Sequence, residues 1–194
     1  MGFTAIKQSL NSFAPIDEGA WSDFEQYLTN HSIKKGELLW KEGEVIKQII
    51  FITKGAMRYY YYNHPSDKEV IAQFFFENAF LTDYVSFNTQ EPTDFYYQAL
   101  EDTEYIAFPR VVIYQMYDKY KVFERIGRLI AEHNFISQQN AFKDQKNLTP
   151  EEKYLKIVKE RPMVIARIPL NMIASYLAIT PEHLSRIRKK ISTF

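Results

Sequence analysis

Residues 171–191 read NMIASYLAITPEHLSRIRKKI, and this stretch decides the fold of the C-terminal part of the chain. Two segments with helical periodicity flank a short break. Thr180 is placed to cap the second segment, Pro181 fits its first helical position, and Glu182 lies near the positive end of its dipole. The apolar residues predict one small core between two crossing helices: Ile173, Leu177, Ile179, Leu184 and Ile187. The pattern is typical of a helix-turn-helix unit.

Two alanines lie at the tightest points of this unit. Ala174 falls where the helices approach closest, and a larger side chain there would push them apart. Ala178 lies in the turn, where glycine often supplies a left-handed backbone conformation. We expect Ala178 to adopt that conformation at some energetic cost.

The second helix carries a polar outer face opposite its apolar residues. Arg186 is a residue type that donates two hydrogen bonds to guanine, and Glu182 is a type that accepts from cytosine. The types suited to phosphate, which set position but not sequence, are Thr180, Lys189, Lys190 and Arg167. The predicted DNA-binding set is Thr180, Glu182, His183, Ser185, Arg186, Lys189, Lys190 and Arg167. The alternative is a helical hairpin that contacts another protein.

The formal net charge of the chain is zero, but its distribution is uneven. From residue 148 to 194, nine Lys or Arg accompany four acidic residues, so this segment carries +5 and the remainder carries −5. A basic segment on an acidic body favours an anionic partner such as DNA, although a solvated helical face has the same composition.

Residues 1 to about 30 read as helical, and from Ser32 the periodicity changes. Short runs of β-branched and aromatic residues follow, among them IIFITKGAMRYYYY, with Gly, Asn, Asp and Pro between them. Several short strands at this spacing predict two facing sheets, that is, a double-stranded β-helix or jelly roll.

Helical periodicity returns near Pro109 and continues to about Lys146. Residues spaced alternately by four and three form an a/d seam, which favours pairing with a twin helix: Val122, Ile126, Leu129, His133, Ile136 and Asn140. Burial against one domain alone is the alternative. Thr149, Pro150 and Glu152 then predict a capping box that begins a further helix.

These patterns together predict an α+β chain in three parts. A jelly-roll domain occupies residues 1–115, a long dimerisation helix occupies 116–147, and a helix-turn-helix domain occupies 148–194. We expect no β-wing after the last helix.

Composition excludes several classes of protein. The chain has no cysteine, which excludes disulfides, thiolate metal sites and a cysteine nucleophile. No nucleophile–base arrangement or glycine-rich phosphate loop appears, so we predict a protein that is not an enzyme and has no cofactor or metal. The N-terminus lacks the features of a signal peptide, and no stretch approaches the roughly 18 apolar residues of a membrane span. The predicted location is the cytoplasm, away from membranes.

The order of these parts resembles the cyclic-AMP receptor protein (Crp/Fnr) family of bacterial transcription regulators. IASYLAITPEHLSRIRKK is similar to the recognition unit of that family. KKGELLWKEGE, followed by IIFITKGAMRYYYY, resembles the paired early strands of its nucleotide-binding β-roll. The resemblance implies a homodimer that reads palindromic DNA and works with RNA polymerase. It also implies that Glu182 and Arg186 read bases, whereas Pro181 stands where the family has another arginine.

The sensor part departs from the family pattern. Members that bind cyclic AMP carry a cassette of the type F-x-G-E-L…R-S-A, whose counterpart here begins with Phe80. Asp83 replaces the ribose-binding Glu, Thr93 stands at the phosphate-pairing Arg, and Asp94 brings a carboxylate toward the phosphate. Loss of such an ion pair costs on the order of 2–5 kcal/mol. We therefore expect no useful affinity for cyclic nucleotides.

The function of the β-roll stays open at this point. Either aromatic side chains fill it, or an unidentified small-molecule effector binds there; the candidate pocket residues are Asp83, Tyr84, Thr93 and Asp94. A cupin-like metalloprotein is a further alternative, but the four histidines, at 31, 64, 133 and 183, are too scattered to predict a metal site.

Overall fold

The computed structural model describes residues 3–63 and 68–191, and these residues form an α+β fold with antiparallel sheets, as predicted. Its strands are β1 (Thr29–Ile33), β2 (Leu38–Trp40), β3 (Gln48–Lys54), β4 (Met57–Asn63), β5 (Lys68–Phe75), β6 (Phe80–Leu81), β7 (Tyr96–Ala99) and β8 (Thr103–Pro109). Its helices are α1 (Thr4–Asn11), α2 (Glu18–Glu25), α3 (Tyr84–Thr89), α4 (Arg110–Lys119), α5 (Lys121–Asn147), α6 (Pro150–Glu160), α7 (Pro162–Arg167), α8 (Leu170–Tyr176) and α9 (Pro181–Ile191). His64 lies outside the described residues.

The chain forms two compact units. The first comprises Met1–Met57 and Phe75–Ile136, and the second comprises Arg58–Phe74 and Ser137–Phe194. The second unit therefore combines most of β4 and β5 with the C-terminal helices. The domain bounds expected at residues 115 and 147 stay predictions.

A four-stranded antiparallel sheet lies in the first unit, with strand order β1-β8-β3-β6. Ile50 of β3 lies opposite Ala107 of β8 on one side and opposite Leu81 of β6 on the other. In the same unit, β2 pairs with β7 in antiparallel fashion. Strands that are distant along the chain thus pair with each other, as expected for a β-roll.

The core of the first unit joins the N-terminal helices, α4 and the start of α5 to the sheet. The ring of Phe24 in α2 lies 5.4 Å from that of Phe108 in β8 and 5.0 Å from that of Phe123 in α5, centre to centre. Aromatic pairs at such distances add about 0.5–1.5 kcal/mol to the effect of area burial. The beginning of α5 is therefore anchored in this core.

The helical stretch after Pro109 is two helices instead of one. Tyr120 leaves the helical region, with φ −132° and ψ 109°, so α4 ends at Lys119 and α5 begins at Lys121. Residues 116–119 of the predicted dimerisation helix therefore belong to α4. The Tyr120 hydroxyl donates a hydrogen bond to the Asp23 carboxylate of α2, which holds the break in place.

Gly127 allows α5 to lie directly against Tyr117 of α4. A Cβ atom at position 127 would come within 2.1 Å of Tyr117 Oη and 2.6 Å of Cζ, closer than atoms can approach. Burial, together with the nearby Tyr84 and Tyr114, raises the pKa of the Tyr117 phenol to about 12, so this group stays neutral. Glycine is required here by space.

Gly127→Ala is expected to destabilise the protein by about 1–3 kcal/mol, because the methyl group displaces Tyr117. Helix propensity alone would make the alanine variant more stable by about 1 kcal/mol. A loss of stability therefore indicates the clash with Tyr117. Gly19→Ala in α2 is the control, since its added Cβ would lie 3.2 Å from the nearest atom, Asp17 Oδ1. Urea unfolding followed by circular dichroism measures both. A Gly127→Ala protein as stable as the wild type would contradict the packing argument.

Arg161 ties the C-terminal helices to β5 within the second unit. Its guanidinium donates to Gln73 Oε1 at 3.0 Å and to the Phe74 carbonyl at 2.7 Å. The Ser175 hydroxyl of α8 donates to the Glu69 carbonyl at 3.2 Å. The Phe74 and Glu69 carbonyls belong to the backbone of β5, so Arg161 ties the junction of α6 and α7 to the strand and Ser175 ties α8 to it.

Helix α6 begins with the predicted capping box. Glu152 Oε2 accepts from the Thr149 N–H at 2.8 Å, and Thr149 Oγ1 accepts from the Glu152 N–H at 3.3 Å. The hydrogen bonds from the Thr149 backbone and hydroxyl hold the pKa of Glu152 below its usual range. The cap fixes the first turn of α6, in which Glu151 also lies.

Candidate nucleic-acid interface

Helices α8 and α9 are joined by a tight turn. Ala178 has a φ of 56°, which is the left-handed conformation expected from the sequence. Its N–H donates to the Ser175 carbonyl at 3.0 Å, and the Ile179 N–H donates to the Ala174 carbonyl at 3.0 Å. The turn therefore satisfies carbonyls at the end of α8. Ala174 is fully buried, in keeping with its expected place at the helix contact.

The apolar side of α9 is covered. Ile173, Leu177, Leu184 and Ile187 are buried, as predicted, and Ile179 and Ile191 are half-buried. Burial of one Leu or Ile side chain contributes roughly 1.5–3 kcal/mol. Because this core holds the apolar side of α9, the opposite side of the helix must face away from it.

Thr180 caps α9. Its Oγ1 accepts from the His183 N–H at 3.2 Å, and its carbonyl accepts from the Leu184 N–H at 3.0 Å. The Glu182 carboxylate accepts from its own N–H and from the Thr180 hydroxyl, and Arg186 adds a positive charge, so the pKa of Glu182 lies below its usual range. Glu182 is therefore ionised at neutral pH and is an acceptor only.

The predicted DNA-binding residues lie on the outer side of α9 or beside it. Exposed members of the set are Thr180, Glu182, Ser185, Arg186, Lys189 and Lys190. His183 is half-buried on the same helix, and Arg167 is half-buried at the end of α7. One helix with its cap thus carries the whole set except Arg167.

A surface cavity of about 420 Å³ brings three of these residues together. It is lined by Glu151, His183, Arg186, Ile187 and Lys190. Lys190 Nζ lies 2.8 Å from Glu151 Oε2. Sequence reasoning does not identify Glu151 as part of this surface, because 39 residues separate it from Lys190. Its signal in the sequence is an acidic residue in the first turn of a capped helix.

The candidate pocket residues of the β-roll separate into two groups. Asp83 and Thr93 are buried, with 7% and 2% of their surface exposed, whereas Tyr84 and Asp94 are exposed. Asp83 Oδ1 caps α3 by accepting from two backbone N–H groups at 3.0 and 3.1 Å, and its Oδ2 accepts from the Thr93 hydroxyl. Asp83 and Thr93 are therefore hydrogen-bonded to each other, and a role for either in binding a ligand stays a prediction.

The predicted seam of α5 is divided between covered and open positions. Ile126 is buried in the core of the first unit, and Val122 is partly buried against it. Its own domain already covers Ile126, and a part for this residue in a dimer interface stays a prediction. Leu129 is half-buried, and the exposed residues farther along are His133, Ile136 and Asn140. For Leu129 and these three residues, a dimer contact stays a prediction.

No helix within residues 3–63 and 68–191 is both long and apolar enough to cross a membrane. In the described part of the chain, no three His, Cys, Asp or Glu side chains lie close enough together to hold a metal ion. His31, one of the scattered histidines, stacks on Tyr105 with ring centres 5.4 Å apart.

Comparison with known proteins matches residues 30–120 to the family model of the cyclic nucleotide-binding domain. FixK2 from Bradyrhizobium japonicum is similar at a TM-score of 0.72 and 17% identity, over 86% of this chain and 85% of that one. CLP, a c-di-GMP-responsive global regulator from Xanthomonas campestris, is similar at a TM-score of 0.67 and 13% identity, over 91% of this chain and 92% of that one. A protein from Eubacterium rectale assigned to the Crp/Fnr family of transcriptional regulators is similar at a TM-score of 0.66 and 15% identity, over 92% of this chain and 84% of that one. No curated protein matches the chain by sequence.

Residues 30–120 are thus similar to the cyclic nucleotide-binding domain family, and the chain shares the fold of Crp/Fnr transcriptional regulators. The resemblance drawn from the sequence is confirmed.

Ala178→Gly is expected to leave stability unchanged or to raise it by up to about 1 kcal/mol. A left-handed alanine costs about 1–2 kcal/mol, and glycine offsets part of that gain through roughly 0.4–1 kcal/mol of unfolded-chain entropy. Ala174→Gly, at a buried helical position, is the control and should lose about 1 kcal/mol or more. Thermal unfolding compares the two. Equal losses in both variants would show that the turn is not strained.

Proposed function

We propose that this protein is a sequence-specific, DNA-binding transcriptional regulator that acts as a homodimer and is not an enzyme. The observation that carries the proposal is α9, which is capped, has its apolar side buried, and exposes Glu182, Ser185, Arg186 and Lys189 on its outer side. The major groove of DNA admits an α-helix, and these residue types suit its base edges and flanking phosphates. In this proposal, α8 and α9 form a helix-turn-helix.

The residues of α9 have different roles in this interface. Arg186 donates two hydrogen bonds to guanine, and the ionised Glu182 accepts from a cytosine amino group. Lys189 pairs with phosphate, and Arg167 does so from the end of α7. The Thr180 hydroxyl is engaged in the cap with His183 and Glu182, so it fixes the first turn of α9. In this proposal, the same residue also lies near the DNA backbone.

The β-roll is a sensor domain that does not respond to cyclic AMP. Thr93 brings no positive charge to a cyclic phosphate, and its hydroxyl already donates to Asp83. A cyclic phosphate at this position would have to replace that hydrogen bond without gaining the charge-assisted pair of the family pattern.

An effector-gated regulator is the second candidate function, and one observation favours it. The segment Arg58–Phe74 forms one compact unit with the C-terminal helices, and Arg161 and Ser175 hydrogen-bond to the backbone of β5. A small molecule that moves β5 would therefore move α8 and, through it, α9. The identity of such an effector is open.

The exposed part of α5 supports the homodimer. Ile136 is 59% exposed, and the neighbouring Phe135 is 65% exposed, so residues 3–63 and 68–191 leave apolar surface on this helix open. Pairing with the same helix of a second copy would bury this surface and present two copies of α9 to a palindromic site. In this proposal, Asn140 fixes the register of the pair, the protein acts in the cytoplasm, and RNA polymerase is its further partner.

Selection of random duplex DNA by the purified protein should enrich a two-fold symmetric site. Arg186→Ala is expected to lose about 1–3 kcal/mol of discrimination at one base pair in each half-site. Lys189→Ala removes a neighbouring cation as the control, and it should weaken binding to all sequences about equally. If the selected site of Arg186→Ala is unchanged, α9 is not the reading helix.

Ile136→Glu is expected to convert the dimer to a monomer, because it places two like charges opposite each other in the apolar seam. Gln138→Glu, two residues farther along and outside the seam, is the control with the same change in charge. Sedimentation velocity measures the oligomeric state of both. A dimeric Ile136→Glu protein would rule out this face of α5 as the interface.

A further inference from the structure

The Glu151 carboxylate of α6 lies in the cavity that is also lined by DNA-binding residues of α9. Glu151 Oε2 is 2.8 Å from Lys190 Nζ, and both side chains line the same cavity as Arg186 and His183. The Lys190 side chain is 61% exposed and that of Glu151 is 35% exposed. A phosphate that approaches Lys190 therefore meets the Glu151 carboxylate, which is already paired with the lysine.

The position of Glu151 is set by the fold. The capping box of Thr149 and Glu152 fixes the first turn of α6, and the pair spans from that turn to the last turn of α9. An acidic residue is favoured at a helix N-terminus and a basic residue at a C-terminus. The dipole of α6 therefore stabilises the Glu151 charge, and the dipole of α9 stabilises the Lys190 charge. Both charges are thus placed by elements that exist before DNA binds.

We propose that Glu151 competes with DNA phosphate for Lys190, and that it lowers the affinity of the protein for every duplex regardless of sequence. This inference rests on the proposed DNA-binding function. An exposed ion pair contributes little to stability, so phosphate can displace the carboxylate. The displaced carboxylate then stays near the phosphates, and its repulsion opposes the contact that Lys190 gains.

The competition also affects the dependence of binding on salt. Each phosphate that a lysine neutralises releases condensed counterions, and the affinity falls with salt in proportion to the number of such contacts. The Glu151–Lys190 pair carries no net charge, so Lys190 releases fewer counterions than a lysine without a carboxylate beside it. Each subunit accordingly binds less tightly by itself, and stable binding depends more on both subunits of a dimer engaging one site.

The test compares Glu151→Gln with the wild type in binding to the selected site and to random duplex, over a series of salt concentrations. At low salt, Glu151→Gln is expected to raise the affinity for both duplexes about two- to fivefold. The slope of log affinity against log salt should steepen by about 1 for each bound subunit. In a Lys190→Gln background, the added Glu151→Gln change should no longer steepen the slope.

Glu160→Gln is the matched control, because it removes the same charge from the other end of α6, where Glu160 lies 3.8 Å from Lys156. Circular dichroism and thermal unfolding verify that all variants are folded. The inference is overturned if Glu151→Gln behaves like Glu160→Gln, or if its effect is the same with and without Lys190. If the wild type binds no duplex at any salt concentration, the proposed function itself fails, which is a distinguishable result.

Discussion

The burial of one side of α9 is the constraint on which the candidate site depends. Leu184 and Ile187 lie in a small core with Ile173, and the left-handed turn at Ala178 sets the path from α8 into α9. Once those side chains are buried, the helical period places Glu182, Ser185 and Arg186 on the open side. The polar face therefore follows from the packing of the apolar one.

Hydrogen bonds within the chain also satisfy a buried carboxylate of the β-roll. Asp83 uses one carboxylate oxygen to cap α3 and the other to accept from Thr93, so its buried charge is fully hydrogen-bonded within the chain. A buried carboxylate needs such partners, because an unpaired one carries a large desolvation cost. In this chain, the pair of Asp83 and Thr93 connects the first turn of α3 to the segment before β7.

Local signals in the sequence predicted local structure well. The cap at Thr180, the capping box of Thr149 and Glu152, and the strained turn at Ala178 each involve residues a few positions apart, so spacing alone defines them. The helix break at Tyr120 was missed because its cause is distant: Asp23, in α2, accepts the hydrogen bond that holds it. The burial of Ile126 in the core of the first unit was missed for a related reason, since periodicity marks an apolar side chain without saying what covers it.

The sequence by itself determined the class of fold, the family resemblance, the two terminal helices and which residues α9 turns outward. These features depend on periodicity, caps and turn residues, all of which are local. Only the tertiary structure decided that Glu151 holds Lys190, that Arg161 binds the backbone of β5, and that Ile126 belongs to the core of the first unit. Each of these contacts joins residues far apart along the chain, and their meeting depends on how the elements pack.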